Sequence, residues 1–243
     1  MEEVNILIPD KLNIIQDSNF FKFGNDSVFL ANFTEVKLGE VVVDLGSGSG
    51  VIPLLLAFKN KLKKVIGIEI QPKLVEMSRQ SVAMNKMGDL IEIIEGDLRK
   101  ASQLIAPGSI DLVISNPPYT PSSTGKVTQK REIAIARHEI YATLADVIRE
   151  ASALLKTGGR MAMVHRAWRL PEIFKIMGDY DLHPKKLFII QSRLKSVAKS
   201  VIIEAKKAGN PGLEIQPVFI VYEEDSDQYT AEVKRIYGDD FDE

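Results

Sequence analysis

Glu40-Val41-Val42-Val43-Asp44-Leu45-Gly46-Ser47-Gly48-Ser49-Gly50 decides the fold of this chain. An unbroken β-branched apolar run reads as a strand buried on both faces, because a half-exposed strand would alternate apolar with polar residues. The glycines allow a tight turn and remove the β-carbons that would keep a ligand off the backbone. Residues 50–59 then read as an apolar helix. Strand, glycine turn and helix together open a βαβ unit. The spacing is Gly-x-Gly-x-Gly, whereas a dinucleotide-binding turn would put its third glycine at position 51, which is Val51. With no hydride-transfer constellation elsewhere, a nicotinamide oxidoreductase is disfavoured.

Working outward, residues 64–69, 90–95 and 110–115 read as further strands, and residues 72–85 as a helix that starts with Pro72, where a missing N–H costs nothing. A helix over 139–155 and a strand over 160–164 follow, with Gly158-Gly159 turning between them. Residues 186–192 and 199–205 are joined by too few residues for a parallel crossover, so that pair should be antiparallel. The expected fold is α/β: a Rossmann-like seven-stranded sheet with an antiparallel last strand, plus a small N-terminal hairpin from residues 5–8 and 13–16. Residues 217–222 are a candidate further strand and 230–237 a short helix. The chain reads as one domain over 1–243, with a hairpin and helix extension over 1–39, a core over 40–207 and an acidic extension over 208–243.

Bulk properties narrow the class. The 243 residues are 45% hydrophobic and 26% charged, enough apolar material for a large core. The absence of cysteine excludes disulfides and zinc-thiolate sites. The acidic start is unlike a signal peptide. The longest apolar run, 51–58, falls far short of the ~20 residues of a membrane helix. A cytoplasmic monomer without membrane contact is the expectation. His138, His165 and His183 have no metal-site spacing, so no metal is expected. The net charge of −2 conceals an asymmetry. Residues 156–207 are strongly basic and residues 208–243 strongly acidic. A basic block suggests a polyanionic partner, although a surface balanced by the acidic tail would look the same.

The second and third strands each lead into an acid. Glu69 closes the second, where a carboxylate can accept from both hydroxyls of a ribose. Asp97 follows the third, where a carboxylate can accept from an adenine amino group while the Leu98 N–H reaches a ring nitrogen. The carboxyl ends of the strands are where open α/β sheets bind ligands. Either acid alone would read as a solvated loop carboxylate; their common register after successive strands carries the signal. Upstream, Phe20-Phe21-Lys22-Phe23-Gly24-Asn25-Asp26-Ser27 precedes a helix. It reads as a cap in which Asn25, Asp26 or Ser27 is the N-cap, and also as a segment placing Phe23, Gly24 and Asp26 over the ligand.

Asn116-Pro117-Pro118-Tyr119 ends the fourth strand. An aromatic or amide NH2 is a poor nucleophile because its lone pair is delocalised. The Asn116 side-chain carbonyl and the Pro117 backbone carbonyl can each accept one N–H of such a group and stabilise charge growing on nitrogen. The prolines fix the turn, and Tyr119 offers a ring to a planar acceptor. The plain alternative is a Pro-Pro turn with Asn116 as a turn former.

Residues 44–50, Glu69, Asp97 and 116–119 together resemble the class I methyltransferases that modify exocyclic amino groups. The likeness is greatest to bacterial tRNA (adenine-N6) methyltransferases acting beside the anticodon of a valine tRNA. It includes the Phe-x-Phe-Gly-x-Asp entry, Ala136-Arg137-His138-Glu139 and Gly209-Asn210-Pro211-Gly212-Leu213. The resemblance implies S-adenosylmethionine as cofactor and tRNA as partner. Asn116, Pro117 and Tyr119 would clamp the acceptor. Phe23, Gly24, Asp26, Asp44, Gly46, Gly48, Gly50, Glu69, Asp97, Leu98 and Asn116 would form the cofactor site. A splayed-out base in an RNA loop is the expected target. Its phosphates would meet Lys126, Lys130, Arg131 and Arg137 in a long polar loop, and Arg166, Arg169, Arg193, Lys195 and Lys199 after later strands. Trp168, inside that second cluster, reads as a packed anchor. Methylation of a protein glutamine amide or of guanine N2 in ribosomal RNA are the competing readings, and a catalytically silent RNA-binding module is a third.

Overall fold

The computed structural model describes residues 2–9, 11–18, 20, 23–119 and 142–238. The hairpin comes first, β1 (Glu2–Ile8) against β2 (Leu12–Asp17), antiparallel. Then α1 (Asn25–Phe33), β3 (Val41–Leu45), α2 (Val51–Lys59), β4 (Lys64–Glu69), α3 (Pro72–Met84) and β5 (Ile91–Glu95) alternate. They lead through α4 (Ala101–Leu104) to β6 (Ile110–Ser115). After residue 142 come α5 (Leu144–Leu154), β7 (Leu155–Arg166), α6 (Leu170–Asp179), β8 (Leu182–Gln191) and β9 (Ser200–Lys207). Two short strands, β10 (Glu214–Ile215) and β11 (Phe219–Ile220), and α7 (Ala231–Ile236) close the described chain.

The central sheet runs β10-β8-β9-β7-β6-β3-β4-β5, with β11 also on β8. Strands β7, β6, β3, β4 and β5 pair in parallel, and β9 runs antiparallel between β7 and β8. The seven-stranded Rossmann-like sheet and the N-terminal hairpin expected from sequence are both present. The sheet is wider than expected, because β10 and β11 extend its edge in parallel with β8.

Alternation along the strands makes two cores from one sheet. Val42, Leu112, Ala162 and Ile202 face α1 and α2; Val43, Val113, Met161 and Ile203 face α5 and α6. Helix α2 is apolar on nearly every side because it lies between the sheet and the hairpin, whose Leu12 and Ile14 are fully buried. The hairpin is fastened to α3 by Ile15 N–H donating to Ser81 Oγ at 2.9 Å and by reciprocal bonds between Asn13 and Asn85. Helix α5 starts at a capping box, Thr143 with Asp146.

Three local expectations are corrected. Gly24, not a polar side chain, is the N-cap of α1, which leaves Asp26 and Ser27 for other partners. Gly158-Gly159 do not separate helix from strand: β7 begins at Leu155 beside Ile110, and residues between it and Arg160 bulge out of register, with Gly158 at φ 79°. The acidic C-terminal segment is part of the core, since Phe219, Val221 and Val233 are buried and Phe219 packs edge-on to Phe29 and Phe33. There Tyr222, Tyr229 and Tyr237 stack, with centroids 5.3 and 5.8 Å apart. The Tyr237 hydroxyl donates to Asn25 Oδ1 at 2.7 Å, and Tyr229 exchanges hydrogen bonds with the same amide. Among the described residues no helix is long and apolar enough to cross a membrane.

Candidate active site

The carboxyl ends of β3, β4 and β6 meet at one cavity of about 520 Å³. Gly46 and Ser47 N–H both donate to Ile68 O, so the glycine turn folds back onto the end of β4. Gly46, Gly48 and Gly50 all have positive φ, and a β-carbon on Gly50 would also overlap Ser78 Oγ. Glu69 clamps the turn from the next strand: Oε2 accepts Gly48 N–H and Oε1 accepts Gln71 N–H, each at 2.9 Å. Asp44 sits behind the turn, fully buried, and neither of its carboxylate oxygens has a hydrogen-bond partner among the described residues. Burial raises the carboxyls of both Asp44 and Glu69 above the ordinary range, and the Glu69 charge raises Asp44 further. Two buried carboxylates beside a cavity, neither paired with a lysine or arginine among the described residues, suit a ligand that brings positive charge and hydroxyl donors. S-adenosylmethionine is such a ligand.

The state of Asp44 is testable without any ligand. A carboxyl with a raised folded pKa stabilises the fold fully only below its unfolded value, near 3.8, and that contribution is lost as pH rises through the folded value. The melting temperature of the cofactor-free protein is therefore expected to fall, relative to Asp44→Asn, as pH climbs from about 4 to 8. Each kcal/mol corresponds to about 2–4 °C for a chain of this size. Parallel melting curves for the two proteins would exclude a titrating Asp44.

Ser115 Oγ donates to Leu45 O at 2.7 Å and locks the end of β6 beside the glycine turn. Asn116 therefore enters the same cavity, with Nδ2 donating to Ser27 Oγ at 2.8 Å. Tyr119 folds inward: its hydroxyl donates to Asp26 Oδ2 at 3.0 Å and also contacts Asn116 Oδ1. The Arg166 guanidinium lies 4.3 Å from the Tyr119 ring centroid, and His165 meets that ring edge-on. Burial, with Asp26 adding, raises the Tyr119 hydroxyl, which stays a protonated phenol at neutral pH. His165 is fully buried, its Nδ1 accepts Arg166 N–H, and burial holds its pKa down to about 3. It is a neutral wall behind Tyr119, a role that no spacing in the sequence announces.

Phe23, Gly24, Asp26, Gly46, Gly48, Glu69, Asp97, Leu98, Asn116, Pro117 and Tyr119 all border the cavity; Asp44 and Gly50 support it from behind. Asp97 does more than expected, capping the turn at Leu98–Lys100 through Arg99 N–H and holding the Arg99 guanidinium at 2.6 Å. That contact lowers its pKa.

The expected phosphate contacts divide. Lys126, Lys130, Arg131 and Arg137, with the polar loop that carries them, lie outside the described residues. Arg166 borders the cavity, and Lys195 and Lys199 are exposed. Arg169 is corrected: it is 2% exposed and held in a fork by Glu172. Arg193 is corrected as well, because the acidic tail takes its guanidinium through Ser226 O and Asp227. Trp168 is no packed anchor; it stands 67% exposed at the cavity rim.

The family model described as methyltransferase small domain matches residues 21–175. A tRNA1(Val) (adenine(37)-N6)-methyltransferase of Porphyromonas gingivalis is 31% identical over 204 residues, covering 82% of this chain and 79% of that protein. One of the same description from Aeromonas hydrophila is 27% identical over 82% of this chain and 83% of its own length. Among solved structures, a predicted O-methyltransferase from Agrobacterium tumefaciens superposes with a TM-score of 0.70 at 22% identity, covering 88% of this chain and 95% of its own. Geranyl diphosphate C-methyltransferase from Streptomyces coelicolor, in complex with S-adenosyl-L-homocysteine, gives 0.56 at 14% identity over 75% of both chains. The chain belongs to the methyltransferase small domain family and is an S-adenosylmethionine-dependent methyltransferase.

Proposed function

We propose that this enzyme methylates the exocyclic N6 of an adenine in tRNA, a base of the anticodon loop. The observation that carries the reading is Asn116, held by Ser27 in the same cavity as the glycine turn and Glu69. The relatives named as tRNA1(Val) adenine-N6 enzymes support the choice of base and RNA.

Bound S-adenosylmethionine would supply an electrophilic methyl group on a sulfonium sulfur. Gly46 and Gly48 would give it a backbone bed, Glu69 would accept from its ribose, and Asp97 with Leu98 would face its adenine. Asn116 Oδ1 would accept one N–H of the incoming amino group and Pro117 O the other, leaving the nitrogen lone pair free to face the methyl donor. Transfer would exchange the S–C bond for an N–C bond, and the nitrogen would lose its extra proton to solvent. Asn116 Oδ1 is also in contact with the Tyr119 hydroxyl, and its second lone pair is left for the acceptor N–H. Asp26 accepts from the same hydroxyl and would keep the phenol satisfied were that contact given up. No strong base is required, because alignment alone can lower the barrier by several kcal/mol.

The test is to incubate the enzyme with methyl-labelled cofactor and separate pools of tRNA, ribosomal RNA and protein. Label is expected in tRNA, released on digestion as N6-methyladenosine. Label confined to protein glutamine, or to guanine of ribosomal RNA, would reject the assignment.

A further inference from the structure

Trp168 is the single tryptophan of the chain. It lies in the one-turn helix Ala167–Arg169 after β7, and it borders the cavity that holds Asn116 and Tyr119. Tryptophan is among the most buried side chains on average, and a wet indole at a cavity rim usually has a partner to cover it. Its support is rigid. Arg169, with its guanidinium 5.8 Å from the indole centroid, is itself fixed by Glu172. Ala167 N–H donates to Lys199 O at 3.0 Å and joins the turn to the segment between β8 and β9. That segment exposes Leu194 (68%) and Val197 (85%) alongside Lys195 and Lys199.

An exposed aromatic plane with apolar and cationic neighbours matches the needs of a single-stranded nucleic acid, whose bases stack while its phosphates seek positive charge. The reacting base must enter the cavity to reach Asn116. Trp168 stays outside at the mouth, so a base lying on it belongs to another nucleotide.

We infer that Trp168 is the stacking platform for a nucleobase next to the methylated one, with Lys195 and Lys199 receiving the phosphates of that stretch. This rests on the RNA reading above. By holding a neighbour out of the loop stack, the platform would present the target base to the cavity and make recognition depend on the flanking nucleotide.

The lone tryptophan reports on itself. Adding tRNA to the full-length enzyme is expected to quench its fluorescence. Trp168→Ala should raise KM for tRNA by about 5- to 150-fold, the range of a lost base–aromatic stack. Cofactor affinity should hold, and Trp168→Phe should recover most of the loss. A wild-type KM for tRNA in the alanine variant, or a phenylalanine variant as impaired as alanine, would overturn the platform while leaving the RNA reading intact. If the wild-type enzyme labels no RNA, both fall together.

Discussion

Asn116→Ala is expected to lower kcat by about 10²- to 10³-fold, the loss typical when one preorganised polar group at a reacting centre is removed. An NH2 whose lone pair is shared with a ring becomes nucleophilic only if its hydrogens are held out of the way. Asn116 is placed to do this by Ser115 below it and Ser27 beside it. Because the variant removes a contact made as charge develops, kcat should fall far more than cofactor affinity. Calorimetry should return a near-normal dissociation constant for S-adenosylmethionine, and an unchanged melting temperature would show that Ser27 tolerates the loss. Asn116→Asp is informative too, since it keeps the accepting oxygen but adds a charge beside Asp26. Turnover by the alanine variant close to the wild-type rate would dismiss the clamp.

Glu69→Ala should weaken cofactor binding by about 1.5–3 kcal/mol, roughly 10- to 150-fold, the contribution of a hydrogen bond to a charged group. In the proposed site the carboxylate would act twice: it would offer acceptors to the ligand while holding Gly48 and Gln71 N–H in place. Glu69→Gln keeps the size but turns one acceptor into a donor facing a backbone N–H, so it should rescue little. Burial raises the Glu69 carboxyl, so affinity should decline on acidification at a higher pH than for an exposed glutamate. Calorimetry across pH reads both effects, and affinity equal to wild type in the alanine variant would mean the ribose lies elsewhere.

What the sequence disclosed and what it withheld follow a physical line. The glycine turn, Glu69, Asp97 and the tetrapeptide at 116–119 are local patterns, each attached to the end of a strand whose apolar run is also local. The contacts that complete the site are not. Asn116 meets Ser27 across 89 positions and Tyr119 meets Asp26 across 93, and no periodicity encodes such pairings. His165 lies one residue past the strand read over 160–164, and only the placing of β7 beside β6 sets it behind Tyr119. Trp168 looked like an anchor because its exposure depends on what the β8–β9 segment leaves uncovered. The basic block left open whether its charge faced a partner or the acidic tail, and the pairings decide it residue by residue: Glu172 takes up Arg169, and the tail takes up Arg193. The strand read over 217–222 shrinks to β11, and β10 escaped because a two-residue ladder leaves almost no pattern to read.

The stacked tyrosines make the start of α1 depend on residues synthesised much later. A ribosome makes the glycine turn, Glu69 and Asn116 before Tyr229 and Tyr237. Asn25 therefore waits, at about 5–20 residues per second, for the phenols that tether it. Until they arrive, the start of α1, which carries the Asp26 and Ser27 that hold Tyr119 and Asn116, lacks this tether. A chain stopped before residue 229 is expected to show lower transfer activity than the full chain, because the first turn of α1 loses that tether.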